Sequence, residues 1–327
     1  MNLLLSAEQE EARRAIATFL AGRTARSVAG PAIAPDAAAS FWAGLAGEGW
    51  LSVGLSEAAG GGGGSVVDEI VVHREFGRYL APGPTVGTTI AAELLHEAGD
   101  ERLSAVLSGQ TAIGVGVRAW PADRLTGFDL GSSGLAVRLD DGSARLVQFD
   151  QASAEPLECI DASVSACTAP FSAFGATAPG RTATATWARG ACLIAAQLAG
   201  IAEATLAKSV AYASERVQFG VPIGSFQAVK HRCADMAVRA EEAWSLTALA
   251  ALLTRDGDPA SAELAAAAAL TAAEAGLDNA WHNIQNHGGI GFTSELGADR
   301  FLCRAHVLAA MLGPARAQLA AVVDPSR

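Results

Sequence analysis

The second half of the chain repeats apolar residues about every 3.6 positions, in four long segments that are rich in alanine. This period places the apolar side chains on one face of an α-helix, and such faces pack against one another. Glycine and proline interrupt the pattern at 256–259 and 288–289. The pattern therefore predicts a bundle of four helices, at residues 191–215, 226–254, 260–285 and 298–323.

The first hundred residues predict a second, separate helical region. Ser6 and Gln9 have the spacing of a capping box, in which each side chain bonds the backbone of the other residue. The first helix should therefore begin there and run to about Leu20. Three more helices are predicted, at 41–50, 65–79 and 88–98, with glycine and proline between them.

The composition changes near Gln110 to favour strands. A β-rich segment at 111–118 comes first, and Asp140-Asp141-Gly142-Ser143 then separates two apolar runs, which is a strong hairpin signal. Threonine, serine, proline and glycine dominate from 151 to 186, which predicts less regular structure. We therefore expect an α+β fold, mainly α, with a helical domain (1–110), a small central β domain (111–186) and a helical bundle (187–327).

Charge and hydropathy exclude several classes of function. The formal net charge is −11, whereas nucleic-acid binding needs a clustered basic surface, so no nucleic acid is expected. No stretch resembles a transmembrane span, and the N-terminus lacks the basic region and cleavage site of a signal peptide. These features favour a cytoplasmic protein that does not enter a membrane.

The five cysteines do not indicate a disulfide framework or a metal site. They are odd in number and widely spaced, with no CxxC pair, which is typical of reduced thiols. Cys303 and His306 have a spacing that would put two ligands on one helix face. Two ligands without two more are weak evidence, so no metal is predicted.

Two strings in the C-terminal half carry groups suited to a dinucleotide. The first is Arg216-Val-Gln-Phe-Gly-Val-Pro-Ile-Gly-Ser-Phe-Gln227, and the second is Gln285-Asn-His-Gly-Gly-Ile-Gly291. An arginine fork and amide donors suit a pyrophosphate, phenylalanine and isoleucine give apolar surface to a ring, and bare glycine backbone permits close approach. Singly, each string also fits a solvated helix end or a plain turn. The candidate cofactor-binding residues are Arg216, Gln218, Phe219, Ile223, Phe226, Gln227, Gln285, Gly288 and Gly289.

At this spacing the two strings resemble the FAD-contacting motifs of the acyl-CoA dehydrogenase family. Residues 47–51 and 74–79 also resemble the family's N-terminal half. The resemblance implies the same order of domains, FAD as cofactor, an acyl-CoA substrate, and electron-transfer flavoprotein or a similar acceptor. It also implies that the first string meets the pyrophosphate and adenine side, and the second the adenosine end, of FAD held mainly by a neighbouring subunit.

The same resemblance shows that this sequence lacks two functional elements of the family, the catalytic base and the flavin-lining loop. The family removes the α-proton of the thioester with a glutamate, because that proton is only weakly acidic. The commoner position of this base falls on Leu312 and the alternative on Gly190, and neither can accept a proton. The family's flavin-lining loop is replaced by Gly116-Val-Arg-Ala-Trp-Pro121-Ala-Asp-Arg124. No catalytic residue is assigned, since the remaining carboxylates (Asp161, Glu203, Asp235, Glu241 and Glu242) are weak candidates.

Retained FAD contacts without a base suggest an obligate partner. The chain is similar to the short subunits of actinobacterial α2β2 acyl-CoA dehydrogenases of steroid degradation, in which a longer homologue supplies the base. The resemblance implies a bulky, steroid-derived CoA ester as substrate. Two alternatives stay open: a homomeric enzyme with a base at an unusual position, and a flavin-free scaffold of the same fold.

Overall fold

The computed structural model describes residues 3–29, 35–118, 123–140, 142–176, 183–315 and 322. The capping box predicted at the first helix is confirmed, because the Ser6 amide donates to Gln9 Oε1 (3.0 Å) and the Gln9 amide donates to Ser6 Oγ (3.2 Å). A second capping box, between Ser65 and Asp68, opens the third helix. The N-terminal helices are α1 (Ala7–Ala29), α2 (Pro35–Gly47), α3 (Val66–Arg78), α4 (Thr85–Glu97) and α5 (Leu103–Leu107).

The central region forms one curled sheet of seven strands. The predicted hairpin is confirmed, with Asp140 paired to Ser143. The segment expected to be less regular, 151–186, contributes three short strands, of three, five and three residues, within its described part. In chain order the strands are β1 (Gly114–Arg118), β2 (Arg124–Phe128), β3 (Leu135–Asp140), β4 (Ser143–Phe149), β5 (Glu155–Leu157), β6 (Ala166–Pro170) and β7 (Phe174–Ala176).

The strand order is β5-β6-β2-β1-β3-β4-β7, and every neighbouring pair is antiparallel except β1 with β3. Thr88 on α4 connects the start of β1 to the N-terminal helical region through hydrogen bonds. Its hydroxyl donates to the Ile113 carbonyl (3.3 Å) and accepts from the Ile113 amide (3.0 Å). The sheet is therefore tied to the N-terminal helices at the residue that precedes β1.

The C-terminal region is the predicted bundle, with α6 (Ala183–Glu215), α7 (Gln227–Asp256), α8 (Ser261–His287) and α9 (Ala298–Met311). A small hairpin between the first two helices consists of β8 (Val217–Gln218) and β9 (Val221–Pro222). The last helix is shorter than the predicted 298–323, since Gly313 adopts φ +78° and Pro314 follows it. This α+β architecture confirms the predicted fold class.

Helix α6 is the centre of the molecule, packed by α3, α7, α8, α9 and strand β4. By length and composition, α6 alone among the helices of the described ranges could cross a membrane, contrary to the expectation that no stretch resembles a transmembrane span. However, 83% of its most apolar window is buried inside the protein. Its apolar character is therefore explained by its place in the core.

Two glycines let α3 and α6 approach each other closely. A Cβ at Gly77 would overlap the Gln197 carbonyl, and one at Gly200 would overlap the Arg74 carbonyl. Next to this crossing, Glu203 of α6 forms ion pairs with Arg74 and with Arg78, the latter at 2.9 Å. The N-terminal region and the bundle are consequently in backbone contact.

Candidate functional site

The first predicted string forms a projecting hairpin at the end of α6. The Arg216 amide donates to the Tyr212 carbonyl (2.8 Å), and the Ile223 amide closes the hairpin on the Arg216 carbonyl (2.8 Å). Phe219 and Gly220 form the turn with φ of +55° and +82°. Phe219 is 94% exposed and meets the Phe226 ring edge-on at 6.1 Å. A solvent-exposed phenylalanine with positive φ is energetically unfavourable by itself. Such a residue is typical of a site where the backbone is constrained so that the side chain can contact a ligand or a partner.

The second predicted string ends α8 and begins a short 3₁₀ turn, Gly288–Phe292. Gly288 has φ +62°, and neither it nor Gly289 has any atom within 4 Å of where a Cβ would stand. The backbone there is therefore open to a ligand or another chain. His287, which precedes the turn, donates a hydrogen bond from Nδ1 to the Asn283 carbonyl (2.8 Å).

A ring contact brings the two strings to the same end of the bundle. Tyr212, one turn before Arg216, packs on His287 with ring centroids 4.4 Å apart. Most of the predicted residues face solvent; Ile223 and Gly288 are half-buried. In the described part of the chain, the Arg216 guanidinium and the side-chain amides of Gln227 and Gln285 have no protein partner, whereas the Gln218 amide donates to the Val217 carbonyl (2.8 Å). This donor set fits a dinucleotide such as FAD, and its role remains a prediction.

Neither position at which a base was sought can hold one in this chain. Leu312 follows α9 and is buried in the main core. Gly190 lies within α6, where a Cβ would be 2.9 Å from Ile90 Cδ1 and 3.6 Å from Leu139 Cδ2. A carboxylate at position 190 would enter apolar packing, which strongly disfavours a charged group.

A cavity of about 20 Å³ lies between the three regions of the chain, lined by Arg304, Leu308 and Met311 of α9 and by residues of α4 and the sheet. Such a volume holds about one water molecule. A cavity of about 490 Å³ adjoins it at Gly83 and Pro84. Residues 119–122 of the sequence that replaces the family's flavin-lining loop lie outside the described residues.

Arg304 joins all three regions beside this cavity, and no local motif in the sequence marks it. Its guanidinium pairs with Asp161 (Nε to Oδ2, 2.5 Å) and donates to the Ala81 carbonyl (2.8 Å) and to Ser163 Oγ (2.6 Å). Burial alone would raise the pKa of Asp161, but the charge of Arg304 and hydrogen bonds from Ser163 and Arg304 outweigh it and lower the pKa. Asp161 is therefore an ion-pair partner and cannot serve as a base.

The other weak candidates are equally unsuited. Glu203 is paired with two arginines, and Asp235, Glu241 and Glu242 lie on the solvent face of α7. Asp129, which sequence reasoning missed, does line the small cavity. Burial raises its pKa, although it accepts hydrogen bonds from the Ser165 amide (2.7 Å) and hydroxyl. The one feature of the sequence that could have indicated Asp129 is its position at the end of a strand.

No cluster of three or more potential metal ligands occurs among the residues that the structure describes. Cys303 and His306 lie on α9 without further ligands of this kind around them. Burial is the first cause of the raised pKa of the Cys303 thiol. This thiol is accordingly a poor ligand or nucleophile.

A helical region, a curled sheet and a helical bundle, in this order, form the architecture of the acyl-CoA dehydrogenases. Family models bear this out: the acyl-CoA dehydrogenase C-terminal domain matches residues 180–324 and the N-terminal domain residues 6–109. The acyl-CoA dehydrogenase IpdE2 of Mycobacterium tuberculosis is 32% identical over 93% of both chains. The chain therefore belongs to the acyl-CoA dehydrogenase family, a family of oxidoreductases with FAD as cofactor.

Other relatives differ in length and in assembly. The acyl-CoA dehydrogenase FadE34 of M. tuberculosis is 38% identical over 85% of this chain, but the match spans only 41% of FadE34. A variant of the Tcur3481–Tcur3483 steroid ACAD has a TM-score of 0.80 and 26% identity, with 97% of each chain covered. The ChsE4–ChsE5 complex of M. tuberculosis has a TM-score of 0.79 at 22% identity, with 99% of this chain and 98% of that chain covered, and shows the fold alone.

Proposed function

We propose that this chain is the subunit without a base in a heteromeric acyl-CoA dehydrogenase, and that it completes the FAD site of a longer homologous partner. The observation that carries the proposal is a contrast within one molecule. Both positions for the base are occupied by apolar residues in packed surroundings, whereas the predicted FAD contacts are exposed at the end of the bundle. The chain thus presents the predicted contacts while neither position offers a carboxylate.

The residues of the two strings would divide the work of holding the cofactor. Arg216 and Gln218 would donate to the pyrophosphate, and Phe219 with Phe226 would cover the adenine side. Gln285 and the open backbone at Gly288 and Gly289 would bind the adenosine end. When bound, FAD supplies the hydride acceptor for α,β-dehydrogenation. The partner would provide the base, most acyl-CoA contacts and the surroundings of the flavin ring.

The comparisons support a partner of this type. The structural neighbour Tcur3481–Tcur3483 pairs two proteins and is a steroid ACAD. In FadE34 well over half of the chain lies outside the matched part, which leaves room for a second unit of this size. We infer an α2β2 assembly in the cytoplasm, with a bulky steroid-derived CoA ester as substrate and electron-transfer flavoprotein or a similar protein as acceptor.

Absorbance spectra test the proposal directly. The chain is purified alone and again after co-expression with a longer homologue encoded beside it, and turnover of an acyl-CoA is followed with an artificial electron acceptor. We expect a yellow, active complex only after co-expression, with one FAD per pair of chains. Arg216→Ala should remove most of the FAD from the complex, while Arg145→Ala, a change on the sheet, should not. Stoichiometric FAD and turnover by the chain alone would refute the proposal.

Asp129 favours one second candidate, a homomeric enzyme with a base at an unusual position. Its carboxyl lines the residual cavity and has a raised pKa, caused first by burial, as a general base requires. The cavity would have to open to admit a thioester. On this alternative the isolated chain turns over acyl-CoA, and Asp129→Asn abolishes turnover but leaves FAD bound.

A further inference from the structure

Four side chains join α6 to α8 directly beneath the two predicted strings. Ser209 of α6 donates a hydrogen bond from Oγ to Asn283 Oδ1 of α8 (3.0 Å). One turn further along both helices, the rings of Tyr212 and His287 pack with their centroids 4.4 Å apart and an interplanar angle of 32°. We call these four residues the α6–α8 clasp. Both ends of the helices that carry the strings are therefore connected through side chains.

His287 occupies the centre of the clasp. It is buried, with 7% of its surface exposed, and its Nδ1 donates to the Asn283 carbonyl (2.8 Å) while its ring packs on Tyr212. The hydrogen bond connects the imidazole to α8, and the ring contact connects it to α6. Two different kinds of contact therefore determine where this ring lies between the two helices.

Each side of the clasp leads directly into one predicted string. On α6, the Tyr212 carbonyl accepts a hydrogen bond from the Arg216 amide (2.8 Å), which begins the hairpin. On α8, the turn Gly288–Phe292 folds back over His287, because a Cβ at Gly291 would lie 3.1 Å from the His287 Cβ. The imidazole thus supports both the hairpin and the turn.

The polar part of the clasp is not fully satisfied without the histidine ring. Asn283 is fully buried, and its Nδ2 makes no hydrogen bond in the described part of the chain. A buried donor without an acceptor costs stability, so the bond from Ser209 is not a strong link by itself. The ring contact of His287 should therefore carry much of the connection between the two helix ends.

We propose that His287 is a positioning residue, which makes the hairpin and the turn open and close as one unit and so fixes the separation of the two strings. The consequence for FAD rests on the proposed function, whereas the coupling is a property of the isolated chain. Two sets of donors bind one extended ligand tightly only when their separation is fixed beforehand, because otherwise binding must also order them. Loss of the ring should therefore lower the affinity for FAD and leave the chemistry at the flavin ring unchanged.

Hydrogen exchange of the isolated chain tests the coupling. Exchange of the amides between residues 213 and 226 is measured by mass spectrometry for wild type and His287→Ala, with His306→Ala, a change at an exposed histidine of α9, as the matched control. An aromatic pair contributes roughly a 2- to 12-fold change in an equilibrium constant. We expect the hairpin amides to exchange about fivefold faster in His287→Ala and at the wild-type rate in His306→Ala. Unchanged exchange at the Asp140–Ser143 hairpin shows that the effect is local.

Two conservative variants distinguish the ring contact from the hydrogen bond. His287→Phe keeps a ring for Tyr212 but has no donor, whereas His287→Asn keeps a short side-chain donor but has no ring. If the ring transmits the coupling, His287→Phe should bring the hairpin amides to within twofold of the wild-type rate, and His287→Asn should not. Wild-type exchange in His287→Asn together with fast exchange in His287→Phe would overturn the role of the ring.

FAD binding by the complex with the co-expressed longer homologue gives the second readout. The dissociation constant for FAD, measured by flavin fluorescence, should rise about fivefold in His287→Ala, while kcat at saturating FAD stays within twofold of wild type. Unchanged hairpin exchange, or an unchanged dissociation constant, would overturn the inference and leave the proposed function standing. A wild-type complex that binds no FAD would refute the proposed function, and hydrogen exchange of the isolated chain would still decide the coupling.

Discussion

Arg304→Met should destabilise the protein far more than the loss of one surface arginine. Arg304 is 4% and Asp161 8% exposed, and the guanidinium also satisfies the Ala81 carbonyl and Ser163. Methionine keeps much of the volume but leaves a buried carboxylate without its counter-charge. Removing one member of a buried pair costs about 3–5 kcal/mol, so the free energy of unfolding should fall by that amount.

Urea denaturation followed by far-UV circular dichroism measures this loss. Asp161→Asn is measured alongside, together with the double variant. Because both single changes break the same pair, their effects should be non-additive by about 2 kcal/mol. Arg255→Met is the matched control, since Arg255 and Asp256 form an exposed pair at 2.7 Å and its loss should cost less than about 1 kcal/mol. A loss below 1 kcal/mol for Arg304→Met, or additive single effects, would refute the proposed linking of the three regions.

The pH dependence of the same difference has a definite sign. The pKa of Asp161 is lowered in the folded protein from its ordinary value of 3.8, so the unfolded chain binds the proton more readily. The contribution of the pair is therefore complete above about pH 4 and is lost as pH falls through the folded pKa. In Arg304→Met burial would instead raise the pKa of Asp161 above 3.8, so the variant gains stability as the carboxyl protonates, and its difference from wild type should shrink as the pH falls from 7 to 4.

Three further changes follow from the structure. Phe219→Asn should leave the stability of the isolated chain unchanged or raise it by up to about 1 kcal/mol, because asparagine tolerates positive φ better than phenylalanine does. The same change should lower the retention of FAD in the complex. Calorimetry measures the stability, and absorbance measures the bound FAD. Gly77→Ala should prevent normal folding, since its Cβ would overlap the Gln197 carbonyl, whereas Gly22→Ala, in open space on α1, should stabilise by about 0.5–1 kcal/mol; soluble yield and melting temperature distinguish them. Burial and then the charge of Arg189 lower the pKa of His73 to about 3. The unfolded chain therefore binds a proton more readily than the folded one, and the free energy of unfolding should rise between about pH 3 and pH 6.5, by at most about 1.4 kcal/mol per pH unit. His73→Gln should flatten that slope.

Local signals explain which parts of the fold could be predicted from the sequence. The bond between Ser6 and Gln9 and the Asp140–Ser143 hairpin depend on residues at most three positions apart, and both predictions are confirmed. Each of the two predicted strings also folds into one short unit, while its role in binding FAD stays a prediction. That their ends meet through Tyr212 and His287 could not be read from either string alone.

Features that depend on distant residues were not predicted. Arg304 and Asp161 are 143 positions apart, and neither has neighbours that mark it as buried. The three short strands after residue 151 are stabilised by pairing with strands formed earlier in the chain. Asp129 was overlooked for the same reason, since its raised pKa arises from burial that only the folded chain creates.

The close crossing of α3 and α6 has a consequence for synthesis on the ribosome. Gly77 and Gly200 are separated by more than a third of the chain, so at 5–20 residues per second α3 waits roughly 6–25 s for its partner helix. During that interval the buried side chains of α3, among them Ile70, Val71 and Phe76, have no α6 to cover them. A nascent chain of this protein is therefore most exposed to aggregation and to chaperones before α6 emerges, whatever the stability of the finished molecule.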